Sequence, residues 1–234
     1  MSIKKTNQII SKDTIARLVK DITYINKNPL NDNNIYYIHS DEDMLKGYAM
    51  IVGPSETPYQ YGYYFFELNF PSDYPSSPPL VLYKTNGDRI RFNPNLYTNE
   101  KVCISILNTW SGPGWSACQT ISTVLLTLGT LLCNDPLLNE PGIQKDHKDM
   151  ASYNKIIEYK NIDIAINRML KKEVGIFQPQ FERFYAIMEE QYKKNKNKID
   201  EFIEKKILEE TQKSETVISS FYGMNVIINY SNLS

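Results

Sequence analysis

Asn93-Pro94-Asn95, followed by Lys101-Val102-Cys103-Ile104-Ser105-Ile106-Leu107, is the stretch on which the reading of this chain turns. Pro94 fixes its own φ and drives Asn93 out of the helical region, and Asn side chains bond readily to neighbouring backbone, so the triplet reads as a rigid turn. Cys103 follows after the polar run Thr98-Asn99-Glu100-Lys101 and opens an apolar patch. That arrangement can hold a thiol at the edge of packed structure with the Asn95 amide turned towards it. The pair suits acyl transfer through sulfur, in which a thiolate accepts the acyl group and an amide donor stabilises the oxyanion. The plainer alternative is a buried cysteine acting as a small hydrophobe, with Asn95 only bracing the loop.

Upstream, Phe70-Pro71-Ser72-Asp73-Tyr74-Pro75-Ser76-Ser77-Pro78-Pro79 is too proline-rich for a helix or strand interior and by itself reads as a stiff surface loop. This decapeptide resembles the Phe-Pro-x-x-Tyr-Pro-x-x-Pro-Pro signature of ubiquitin-conjugating enzymes. The cysteine stretch, with Trp115-Ser116 beyond it, resembles their active-site segment, usually His-Pro-Asn followed by Cys-Leu-Asp-Ile-Leu. The resemblance covers the enzyme's core. It implies an α+β ubiquitin-conjugating fold with an N-terminal helix on a four-stranded antiparallel sheet, a core helix and added C-terminal helices.

The hydrophobic pattern can be read independently of that likeness. Ile15, Leu18, Val19, Ile22 and Ile25 fall on one helical face, with Ser11 as N-cap and Asn28-Pro29 as the stop. Strand-type runs follow at Ile35 to His39, Leu45 to Val52, Tyr63 to Phe70 and Leu80 to Lys84, with connections short enough for an antiparallel meander. Ile121 to Leu132 forms an apolar helix ending near Cys133, and Asp146 to Leu170 reads as a long helix bent near Tyr159-Lys160-Asn161. Pro179 to Glu210 is helical again, with Phe181, Phe184, Tyr185, Met188 and Tyr192 on one side and a solvated lysine run at Lys193 to Lys198. Phe221 to Ser234 are apolar enough to dock and carry no clear element. The expected organisation is a tail at 1–10, a catalytic domain at 11–172 and a C-terminal helical extension at 173–234.

Composition narrows the function classes. The chain has 234 residues, 41% of them hydrophobic, which suffices for a full core, and its net charge of −1 gives no basic field for nucleic acid. It lacks both an eighteen-residue apolar run and a signal-peptide segment, so membrane insertion is not expected. Cys103, Cys118 and Cys133 are widely spaced without a C-x-x-C pair, which argues against a disulfide framework and a zinc site. Neither a metal nor a cofactor is expected. Enrichment in Asn, Ile, Lys and Tyr agrees with an AT-rich genome such as that of a protist or a large DNA virus.

The resemblance implies partners and roles as well. Ubiquitin or a ubiquitin-like protein would arrive from an activating enzyme and leave for a protein substrate with the help of a ligase, in the cytoplasm or nucleus. Cys103 would carry the thioester, and Asp135 would match the family's catalytic aspartate through its Asp-Pro-Leu context. The insert Trp110-Ser111-Gly112-Pro113-Gly114-Trp115 and the Leu138-Asn139-Glu140-Pro141-Gly142 ending look like the larger Use1-type enzymes and the giant inhibitor-of-apoptosis-linked enzymes, and the extra C-terminal helices point to the Use1-type branch. Departures from the family's usual pattern include Asn93 for histidine, Ser105 for aspartate, a shortened loop at Asn134-Asp135, and Ser76 and Ala117 on the surface that usually meets ligases. Two rivals come from other classes: a cysteine protease using His147, and a catalytically silent ubiquitin-binding scaffold of the same fold.

Overall fold

The computed structural model describes residues 10–209 and 214–233, so nearly all of the expected tail at 1–10 lies outside the described residues. Helix α1 (Lys12–Lys27) starts at Ser11, whose hydroxyl accepts the Thr14 N–H, and Asn28 ends it. Strands β1 (Ile35–His39), β2 (Lys46–Val52), β3 (Tyr63–Asn69) and β4 (Leu80–Tyr83) form an antiparallel sheet in that order. Helix α2 (Ile121–Thr130) is capped by a reciprocal Thr120–Thr123 box and stops slightly before the expected end at Cys133. Helix α3 (Met150–Lys160) begins later than Asp146, because a series of turns occupies 143–149. At the expected bend, a π-helical stretch, Asn161–Arg168, takes over.

The α1 face differs from the sequence expectation. Thr14, Leu18, Asp21 and Ile25 point inward, while Ile15 is 38% and Val19 is 47% exposed. Two polar anchors set this rotation. The Thr14 hydroxyl donates to the Ser72 carbonyl (2.9 Å), and buried Asp21 accepts from Arg17 Nε (3.0 Å) and the Tyr74 hydroxyl (2.5 Å). Arg17 also donates to the Ala117 and Gln119 carbonyls, tying the helix to the segment before α2.

Tyr63-Tyr64-Phe65-Phe66 is buried without alternation because the sheet is covered on both faces. One face carries Ile35, Ile51 and Tyr64 in register, and Ile35 reaches Gly129 of α2. On the opposite face, Phe65 stacks with Phe177, Phe181 and Phe184, and the Tyr63 hydroxyl donates to the Met188 carbonyl (2.9 Å). This second cover is the C-terminal extension: a 3-10 turn at Pro179–Phe184 leading into helix α4 (Tyr185–Glu209). The extension is not helical throughout. Strands β5 (Glu215–Ser219) and β6 (Met224–Ile228) make an antiparallel hairpin that packs on α3 through Val217, Met224, Val226 and Ile228.

Candidate active site

The Asn93-Pro94-Asn95 segment is a hydrogen-bonded turn. The Asn93 side chain is wholly buried, its Nδ2 donating to the Leu131 carbonyl (2.8 Å) and the Tyr59 hydroxyl (3.0 Å), its Oδ1 accepting the Asn95 N–H (3.0 Å). Tyr59 in turn donates to the Phe92 carbonyl (2.6 Å), and burial raises its pKa well above the ordinary phenol range, so it stays a donor. Asn93 therefore joins the turn to the end of α2. With Asn139 Nδ2 also donating to its Oδ1 (3.5 Å), both donors and both lone pairs of the amide are used.

Cys103 and Asn95 meet as the sequence suggests, but with a different contact. The Cys103 N–H donates to the Asn95 carbonyl (2.9 Å), and Asn95 Nδ2 donates to the Cys103 carbonyl (2.6 Å). The amide thus braces the cysteine backbone and keeps its second hydrogen unbonded among the described residues. Cys103 is only 2% exposed, deeper than the edge position expected for it. The next residues turn at once: Ser105–Leu107 form a 3-10 turn, and the Thr109 hydroxyl accepts the Ile104 N–H (3.0 Å) and donates towards the Val102 carbonyl (2.9 Å).

The insert folds back on this turn. Asn108 adopts a left-handed conformation (φ 57°) and its Oδ1 accepts the Trp115 N–H (2.8 Å), while Trp115 Nε1 donates to the Pro75 carbonyl (2.7 Å). The proline-rich loop and the cysteine segment are thereby fastened together. Gly112 has φ +131°, and a Cβ there would lie 3.0 Å from that of Ser105, so both the turn and the close approach favour glycine.

Asp135 makes no hydrogen bond to either member of the pair among the described residues. It precedes the short turn Pro136–Asn139, is partly exposed, and its carboxylate makes no hydrogen bond or ion pair among the described residues. The nearest thiol influence is on Cys133, whose pKa is raised mainly by burial, with a further push from the Asp135 charge and an opposing bond from the Asp135 backbone. His147 is not poised on Cys103 either: its Nδ1 accepts the Asp149 N–H (3.2 Å) and its ring packs edge-on against Phe221. Sequence reasoning did not identify Tyr59, Thr109 or Arg91 as parts of the site. Tyr59 was hidden in a tyrosine-rich run, and nothing local distinguishes Thr109 or Arg91.

Residues 17–166 match the ubiquitin-conjugating enzyme family. The chain is 38% identical over 189 residues to ubiquitin-conjugating enzyme E2 Z of Danio rerio, covering 80% of this chain and 56% of the relative. It is 37% identical over 185 residues to ubiquitin-conjugating enzyme E2 Z of Homo sapiens, covering 75% and 52%. A probable ubiquitin-conjugating enzyme of Acanthamoeba polyphaga mimivirus is 31% identical over 197 residues, covering 78% and 14%. The chain thus spans about half the length of the E2 Z relatives it matches.

Proposed function

The chain belongs to the ubiquitin-conjugating enzyme family, and from that premise we propose that it accepts ubiquitin, or a ubiquitin-like protein, as a thioester on Cys103 and passes it to an acceptor amine, usually a lysine. The observation that carries this reading is the doubly bonded Asn95–Cys103 pair inside the matched span. In the first step the Cys103 thiolate attacks the thioester carbonyl held by an activating enzyme, and that enzyme's cysteine leaves as thiolate. Little activation is needed, since an ordinary thiol of pKa ~8.5 is already a few per cent ionised at neutral pH. In the second step an amine nitrogen attacks the same carbonyl, the bond to Cys103 Sγ breaks and an amide forms.

The amine demands more, because its pKa of ~10.4 keeps it protonated. Desolvation near the cleft lowers that value. A carboxylate alone would raise it, so Asp135 is assigned the orientation of the amine and the receipt of its proton during attack. Asn95 supplies its second amide hydrogen to the oxyanion. Asn93 holds the turn's shape, which fits its complete set of hydrogen bonds.

We place the chain with the larger Use1-type members on the strength of the 110–115 insert and the extension over the second sheet face. That placement predicts charging by the second, non-standard activating enzyme, and ubiquitin-like cargo as well as ubiquitin. The working division is a catalytic domain at 11–172 and an extension at 173–234. Ligases and protein substrates are the further partners, in the cytoplasm or nucleus. Among the described residues no helix is long and apolar enough to cross a membrane.

The test incubates wild type and Cys103→Ala with ATP, ubiquitin and each of the two activating enzymes, resolving products with and without reductant. A reductant-sensitive adduct that requires Cys103 is the expected result, and the activating enzyme that supports it assigns the branch. A folded wild type that forms no adduct with either would favour the silent scaffold.

A further inference from the structure

Arg91 has no part in the mechanism above, yet it grips the active-site turn. Its Nε donates to the Asn93 carbonyl (3.1 Å) and its Nη2 to the Pro94 carbonyl (2.6 Å). Its own carbonyl accepts the Tyr153 hydroxyl of α3 (2.8 Å). No carboxylate pairs with its guanidinium among the described residues; two aromatic rings face it instead. The guanidinium carbon is 3.3 Å from the ring centroid of Tyr97 and 5.1 Å from that of Tyr222, both within cation–π range.

Tyr222 comes from far along the chain. It stands in the turn between β5 and β6, and its hydroxyl donates to Glu140 Oε2 (2.6 Å). That turn is itself fixed: buried Asp149, at the start of α3, accepts the Ser220 hydroxyl (2.8 Å) and the Phe221 N–H (2.7 Å) through Oδ2. The rings of Tyr222 and Tyr153 lie 5.9 Å apart. A continuous set of contacts therefore runs from the C-terminal hairpin through Arg91 to the two carbonyls preceding Asn95.

We infer that the β5–β6 turn is a clamp on the active site, in which the Tyr222 ring holds the Arg91 guanidinium on the Asn93 and Pro94 carbonyls and so makes Tyr222 a positioning residue for the Asn95–Cys103 pair. The inference rests on the acyl-transfer reading. A guanidinium bonded to two successive carbonyls fixes the orientation of both peptide planes, while a free side chain would let the turn rock. Displacement of reacting groups by ~1 Å from a remote change costs up to ~10²-fold in rate. A loosened clamp, with the turn's other bonds intact, should cost about tenfold on the same principle.

The experiment follows discharge of the preloaded thioester to free lysine in a single turnover, for the full chain and for Tyr222→Leu, Tyr222→Phe and Arg91→Ala. Tyr222→Leu removes the aromatic face while keeping apolar bulk, and Tyr222→Phe restores that face without the Glu140 bond. Tyr222→Leu should lower the maximal discharge rate about tenfold with the half-saturating lysine concentration unchanged. Tyr222→Phe should recover most of that rate, the Tyr222 variants should charge as wild type does, and the losses from Arg91→Ala and Tyr222→Leu should combine to less than their product. Equal rates for wild type and Tyr222→Leu would overturn the clamp, as would equal losses in the Leu and Phe variants or a change confined to the half-saturating concentration. A wild type that takes no ubiquitin onto Cys103 would instead overturn the proposed function, and the clamp with it.

Discussion

An amide side chain offers two N–H donors and one acceptor oxygen, and the two asparagines of the active-site turn use them differently. Asn93 commits both donors, to Leu131 and Tyr59, and its oxygen accepts from the Asn95 backbone and, at 3.5 Å, from Asn139. Asn95 commits one donor to the Cys103 carbonyl, and its Oδ1 is buried without a partner. Its second N–H, which makes no bond among the described residues, is what a forming oxyanion would use; the unpartnered oxygen can only accept. Asn95→Ala should therefore charge normally yet discharge to free lysine ~10²-fold more slowly in a single-turnover assay; an unchanged rate would sink the oxyanion role. The three thiols should also separate by accessibility. Cys118 is exposed, Cys133 is half-buried with its pKa raised by burial, and Cys103 is enclosed. Under limiting alkylating agent at neutral pH, peptide mass spectrometry should find Cys118 modified first. Prior modification of Cys103 would contradict the enclosed geometry.

Among the elements, α1 shows why periodicity located a helix but misplaced its buried face. Five apolar residues outline one stripe, yet Thr14 and Asp21 are pulled inward by Ser72, Arg17 and Tyr74 on other segments, and no local pattern announces those bonds. Burial, and next its bond to Asp21, raises the Tyr74 pKa, keeping that hydroxyl a donor. Asp21→Ala would leave the buried Tyr74 hydroxyl unpaired and take one of the bonds of Arg17, and should cost about 2–3 kcal/mol in urea unfolding. The β1–β2 hairpin carries a pH dependence. His39 is held between the Tyr37 hydroxyl (2.7 Å) and the Met44 carbonyl (3.0 Å), and burial lowers its pKa, opposed by the Met44 bond. The unfolded chain thus binds this proton more tightly. The stabilisation is present above the unfolded pKa of ~6.5 and is lost as pH falls through the lower folded value. Between about pH 7 and about pH 5 the Tm of wild type should fall further than that of His39→Gln. Legibility followed locality: Ser11, Asn28-Pro29 and the proline-rich loop act within their own segment and were readable. The β5–β6 hairpin was not, because its turn holds Phe221 and Tyr222, whose partners lie on α3, Glu140 and Arg91, so it reads as core.

At the level of the whole molecule, the sheet is a wall between α2 on one face and the 177–188 part of the extension on the other, while the β5–β6 hairpin returns to α3. The junction between sheet and π-helical stretch is Asn161, whose Oδ1 accepts the Tyr64 hydroxyl (2.6 Å) and whose Nδ2 donates to the Gln60 carbonyl (2.9 Å). A Cβ on Gly62 would lie 1.9 Å from that Oδ1, so the approach requires glycine. Asn161→Leu should destabilise the protein by roughly 2–4 kcal/mol, since it leaves two buried polar groups unpaired; urea denaturation with an unchanged midpoint would refute the junction. The bend at this place was visible in the sequence as a break in the helical pattern, but the double-sided burial of the sheet was not. Tyr63 to Phe66 are all buried, but the run itself does not name the element from 177 to 188 that covers its second face.

The pairing of Arg91 with Tyr222 also orders events in time. The meander and the cysteine turn are built from neighbouring segments and can close early, whereas the ring of Tyr222 must return across most of the domain, a contact with a high loop-closure entropy. During synthesis the thiol leaves the ribosome well before the hairpin does. On the clamp proposed above, a growing chain would hold Cys103 in a loosely set turn until β5 and β6 arrive, so acyl transfer through that thiol would be acquired late in maturation.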